Sequence, residues 1–169
     1  MKYRLIALPL CACFTVVFTS CTFSKEKETV EPQEVVQIEN NASTSQINDQ
    51  LEATPSSQEK NTETGISVDN YEEQDFAGYM GKMAVYYNED GSVLYYKWFL
   101  NETDAKKAKE IYQDVCEALS GSYGDGTENN NETSKMYTTS FTNNNQQITA
   151  QMLGNDTGYE VSYMVVGQN

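Results

Sequence analysis

Eleven of the twelve tyrosines lie between Tyr71 and Tyr163; the exception is Tyr3. Tyrosine and tryptophan bury large areas, so this distribution decides where a core can form. Trp98 and five of the six methionines fall between Tyr71 and Met164. Residues 71–169 are enough for one small domain. Between Phe23 and Tyr71 there is no aromatic residue, and Ser, Thr, Glu, Gln and Asn dominate, with Pro32 and Pro55. Such a segment buries too little apolar surface to offset its ordering entropy. The sequence therefore predicts a disordered tether over residues 21–70 and a folded domain over 71–169. Val30, Val35, Val36 and Ile38 could form only a transient patch in that tether. A flexible chain of about 50 residues has a root-mean-square reach of about 40 Å.

Within 71–169 the pattern has two periods. Residues 82–88 and 92–100 read as strands around Asn88-Glu89-Asp90-Gly91, where Asp-Gly marks a hairpin turn. Asn101 to Asp104 can cap a helix, with Asn101 or Thr103 accepting from free backbone N–H groups. Ala105, Ala108, Ile111, Tyr112, Val115, Ala118 and Leu119 then recur at three-and-four spacing, which gives a helix to about Ser120 with one apolar face. Gly121 is the expected stop. A polar loop over 121–133 precedes strands at about 135–142, 146–153 and 158–166, separated by Asn- and Gly-rich turns. Residues 71–81 suit either a short helix or a strand. The expected class is α+β in two layers, one helix packed on an antiparallel sheet in the order strand-strand-helix-strand-strand-strand.

The N-terminus carries a different signal. Lys2 and Arg4 precede an uncharged apolar run from Leu5 to Phe18, and small residues lead into Cys21. That order is a secretory signal. The run is short of the about 20 apolar residues that a membrane-spanning helix needs, and Pro9 interrupts it. Phe18-Thr19-Ser20-Cys21 resembles the cleavage site of bacterial lipoprotein precursors, with Phe18 where that family usually has Leu. The resemblance covers about the first two dozen residues. It implies removal of residues 1–20 and a diacylglycerol on the Cys21 thiol, often with a third acyl chain such as palmitate on the amine. Two or more chains make attachment durable where one is marginal. The implied location is the extracytoplasmic face of a cell membrane, the plasma membrane or an outer membrane. Plain secretion and an uncleaved anchor are the alternatives.

Removal of the signal would take Cys11 and Cys13 with it. With Cys21 acylated, only Cys116 would remain, so no internal disulfide could form. Cys116 falls beside the apolar helix face and reads as a small buried hydrophobe. The net charge of −14 would become −16 without Lys2 and Arg4. Such a chain repels nucleic acid, and no basic patch offsets this.

No histidine is present, which removes Ser-His and Cys-His nucleophile pairs and the usual zinc sites. No phosphate-cradling glycine loop is present, and no cofactor is expected. Carboxylates remain. Glu89 with Asp90, or Glu72 and Glu73 with Asp75, could in principle form an acid pair, but both groups read better as hydrated turns and edges. Gly124 to Asn129 offers oxygen atoms without the spacing of a calcium loop.

The most distinctive constellation is aromatic. Tyr86, Tyr87, Tyr95, Tyr96, Trp98 and Phe99 lie on one hairpin, and neighbours in a strand face opposite ways. Leu94, Tyr96, Trp98 and Leu100 form one face, and Val93, Tyr95, Lys97 and Phe99 the other, which Lys97 marks as the outer one. Tyr87, Tyr95, Lys97 and Phe99 are therefore the candidate contact residues. Tyrosine anchors interfaces because it joins area to a polar tip. The sequence thus predicts a membrane-anchored, non-catalytic envelope binding module with a protein or glycan partner. The alternatives are an acidic inhibitor of a basic wall hydrolase and a carboxylate-dependent wall hydrolase.

Overall fold

The computed structural model describes residues 29–143 and 146–167. The signal segment 1–20 and Cys21 lie outside the described residues. The elements are α1 (Thr44–Leu51), β1 (Ser57–Lys60), β2 (Ser67–Phe76), β3 (Tyr79–Tyr87), β4 (Val93–Glu102), α2 (Ala105–Tyr123), β5 (Thr127–Asn131), β6 (Met136–Asn143), β7 (Gln146–Asn155) and β8 (Gly158–Gly167). The strands form one sheet in the order β1-β2-β3-β4-β8-β7-β6-β5, and each neighbouring pair is antiparallel. Two four-stranded meanders therefore meet at β4 and β8, and α2 carries the chain from the centre of the sheet to its far edge.

The fold is α+β, as the sequence predicts, and the five expected strands are β3, β4, β6, β7 and β8. It is larger than expected: β1, β2, β5 and α1 are additional. The tether expected over 21–70 is corrected from residue 29 onward. Val35, Ile38, Ala42, Ile47 and Leu51 are all buried in the main core. Ser43 caps α1, accepting from the Gln46 N–H while the Gln46 side chain accepts from the Ser43 N–H. The segment is tied to the sheet by its backbone. The Val93 N–H donates to the Asn40 carbonyl at 2.7 Å, and the Gln33 N–H to the Ala118 carbonyl at 3.1 Å. The Tyr96 hydroxyl donates to the Val36 carbonyl. These apolar residues found a surface to pack on, the inner face of a sheet built from residues far along the chain.

α2 buries Ala108, Ile111, Tyr112, Val115, Ala118 and Leu119 against β6, β7 and β8. Its N-cap is Asp104, which accepts from the Lys107 N–H at 2.9 Å, not Asn101 or Thr103. The helix also runs through Gly121 to a cap at Gly124. Gly121 lies against Pro32, where a Cβ would stand 2.7 Å from the proline ring. The N-terminal segment, invisible as structure in the sequence, thus explains a glycine inside a helix.

Two irregularities set which side chains point inward. A register shift between Tyr71 and Gln74, with Glu73 at φ 56°, lets both Tyr71 and Phe76 face the core. A second lies in the β3–β4 hairpin: Tyr86 pairs with Tyr95 but Tyr87 pairs with Val93, so Leu94 is the extra residue. Strict alternation would send Val93 outward with Tyr95. The bulge turns it inward, and it is 4 % exposed.

Trp98 is fully buried at the centre. Its ring lies parallel to Tyr163 at 5.9 Å and tilted against Phe76 at 5.8 Å. Its indole N–H donates to the Gln74 carbonyl at 2.7 Å. Gly81 opposes the ring, and a Cβ there would lie 2.5 Å from the indole. Gly81→Ala is expected to destabilise the fold by about 1–3 kcal/mol through overpacking, read as a lower denaturant midpoint at an unchanged slope.

At the start of α2, Glu102 accepts from the N–H groups of Thr103 and Asp104 and pairs with Lys107 at 2.6 Å. The Lys107 hydrogen bond first, then the backbone donors, hold its carboxyl down from 4.5 to about 2. A depressed carboxyl stabilises the fold fully above its ordinary pKa and loses that contribution as the pH falls from about 4.5 through about 2. Glu102→Gln should flatten the stability-versus-pH curve in that window. An unchanged curve would remove this assignment.

Candidate functional site

The sheet has one face under α1, α2 and the 29–43 segment, and one face without a covering element among the described residues. The β3–β4 hairpin places Tyr86 and Tyr95 on the open face as cross-strand neighbours. Their rings stack at 4.2 Å with 19° between planes. Val68 and Val166 flank them in the same register row, and Val166 is among the most exposed large apolar residues described. The β1–β2 hairpin rises beside this row. Together they bound a shallow groove of about 600 Å³, with Asn61, Thr64, Ile66 and Asn70 opposite the two tyrosines.

Three of the four sequence-derived contact residues reach this face. Tyr95 is half-buried, and burial with the adjacent Tyr86 hydroxyl pushes its phenol up. Lys97 does not stand free. Its ammonium pairs with Glu160 at 3.0 Å and lies 4.8 Å from the centre of the Phe99 ring. Lys97 and Phe99 thus form a small closed set of their own, one step down the strand from the tyrosines.

Tyr87 is a correction. It points into the covered side, is 7 % exposed, and donates to Asp69 Oδ2 at 3.1 Å. Tyr86 takes the position expected for it, because β3 enters the hairpin bulge with Tyr86 outward. Sequence alternation alone left Tyr86 and Tyr87 interchangeable. The missed signal is Asp69, a lone acid between Val68 and Asn70, whose inward position needs a buried donor.

Asp90 and Glu72, from the two carboxylate groups, are engaged locally. Asp90 Oδ1 accepts from both the N–H and hydroxyl of Ser92, and the Ser92 hydrogen bonds lower its pKa. It serves the β3–β4 turn. Glu72 pairs with Lys82 at 2.9 Å, and Glu73 occupies the β2 bulge. Burial pushes the Cys116 thiol up, which lowers its nucleophile population at neutral pH. The 121–133 loop contains β5, an exposed edge strand. Among the described residues no group of three His, Cys, Asp or Glu residues is arranged to hold a metal ion, and no helix is long and apolar enough to cross a membrane.

No protein-family model matches the chain, and neither does any curated protein or solved structure.

Proposed function

We propose that the chain is a lipid-anchored protein of the cell envelope whose folded unit is a non-catalytic binding module. The observation that carries the binding reading is the Tyr86–Tyr95 pair on the open sheet face beside the β1–β2 groove. Stacked tyrosines present area and polar tips together, the chemistry of an interface anchor. The chain's −14 charge favours a neutral or basic envelope partner, a protein or a glycan, over nucleic acid.

Anchoring rests on the Lys2–Cys21 segment. Eight Cα-to-Cα steps separate Cys21 from Thr29, the first described residue, so their fully extended span is at most about 29 Å. This replaces the spacing that a 50-residue tether would have given. The module is held near the bilayer, with its N-terminal entry beside Gly78 and Tyr79 of the β2–β3 turn. Tyr86 lies seven residues further along β3, about 23 Å away, toward the opposite end of the strand.

Acylation is tested by growing cells with labelled palmitate and fractionating membranes. Label on the chain, with loss of both label and membrane retention in Cys21→Ser, is expected. An unlabelled chain, or membrane retention unchanged in Cys21→Ser, contradicts the anchor.

A further inference from the structure

The covered face of the sheet holds one buried acidic side chain among the described residues. Asp69, 5 % exposed, is the one Asp, Glu, Lys or Arg in the buried set of the described residues. Its register row runs Gln58, Asp69, Val85, Tyr96 across β1 to β4. Withdrawing a carboxylate from water is unfavourable unless donors replace the water. Two neutral ones do: Gln58 Nε2 lies 2.9 Å from Oδ1 and the Tyr87 hydroxyl 3.1 Å from Oδ2. Burial first, then the Asp69 charge, push the Tyr87 phenol far up, so it remains a protonated donor. Each carboxylate oxygen has two acceptor directions, and these two bonds take one on each.

Asp69 lines a cleft of about 490 Å³ between the start of α1 and the β1–β2 edge, together with Ser43, Thr44, Glu59, Lys60 and Tyr87. That volume suits a small molecule. The Ser43 hydroxyl is committed to the α1 cap. Lys60, which is exposed, pairs in register with Ser67, two residues from Asp69. A buried carboxylate held by neutral donors thus lies on the floor, and the rim carries Lys60 beside Glu59. Asp69 and Tyr87 are on the opposite side of the sheet from Val68 and Tyr86, so the floor of this cleft is separate from the open-face groove, and the two share Glu59 and Lys60 at the β1 edge.

We propose that this cleft binds a small zwitterion of the amino-acid type, its ammonium on Asp69 and its anionic group toward Lys60. The neutral donors leave the Asp69 charge for the ligand to neutralise, and Lys60 distinguishes a zwitterion from a simple amine.

The test is saturation-transfer NMR on the whole chain in detergent, with alanine as probe. Propionate, which lacks the ammonium, and ethylamine, which lacks the carboxylate, are the controls. Transfer to alanine is expected, with little to either control. Asp69→Asn should weaken alanine binding about tenfold or more, the scale of a lost charge-assisted hydrogen bond. Lys60→Ala should weaken it less. Because Lys60 is exposed, that variant keeps the test valid if Asp69→Asn disturbs the fold, which circular dichroism would reveal. No transfer to alanine, or transfer unchanged in a folded Asp69→Asn, overturns the site. Equal transfer to ethylamine and alanine, unaffected by Lys60→Ala, overturns the zwitterion.

Discussion

A chain lacking residues 29–53 is expected to lose cooperative unfolding. The deletion removes Val35, Ile38, Ile47 and Leu51 from the core. Burying an aliphatic side chain of this size contributes about 1.5–3 kcal/mol, so the four together contribute about 6–12 kcal/mol. Total stabilities of domains are about 5–15 kcal/mol. The deletion also uncovers Tyr71 and Tyr96, whose hydroxyls bond to Asn48 and Val36 within the lost segment. Trp98 is the only tryptophan, so urea unfolding followed by its fluorescence reports the sheet centre directly. A sigmoidal transition at the midpoint of the intact chain would contradict the account, because the sheet would then fold without the 29–53 segment.

The second large effect is at Trp98. Trp98→Ala removes the ring that Phe76, Tyr163 and Gly81 pack around and is expected to cost about 3–5 kcal/mol. It also leaves the Gln74 carbonyl without its indole donor. Trp98→Phe keeps most of the ring volume and should cost clearly less. Denaturant melts followed by far-ultraviolet circular dichroism measure both. Equal costs for the two variants would place the stabilisation in the hydrogen bond, not in the packing.

The parts legible in the sequence are those with their own periodicity. α2 carries its apolar stripe over nineteen residues, and β7 and β8 alternate cleanly, so their faces follow from spacing alone. The 29–70 region is different in kind. Its apolar residues are sparse, and its long-range hydrogen bonds, Gln33 to Ala118, Val36 to Tyr96 and Asn40 to Val93, tie it to residues far along the chain. Ser43-x-x-Gln46 before Ile47 is a legible helix start, but α1 has only eight residues and gains its stability from the sheet. β5 is Thr-Glu-Asn-Asn-Asn, all exposed. It is a strand because β6 offers it a backbone edge, which no side chain announces.

The candidate site was legible to the level of the hairpin and no finer. Lys97 correctly marked the open side of β4, and Tyr95 and Phe99 followed by alternation. Alternation failed at Val93 and gave no choice between Tyr86 and Tyr87, because a bulge changes parity without a distinctive residue. The β1–β2 wall of the groove lay in the segment read as tether, so the groove itself had no sequence signature.

The most direct test of the binding reading immobilises the whole chain beside a folded Tyr95→Ala variant and exposes both to solubilised envelope proteins and purified wall fragments. Tyr95 is on the open face, so the variant should keep its circular dichroism spectrum. The account predicts one species retained by the native chain and lost from Tyr95→Ala. Equal retention by both, or no specific retention by the native chain, would contradict the open face as the binding surface.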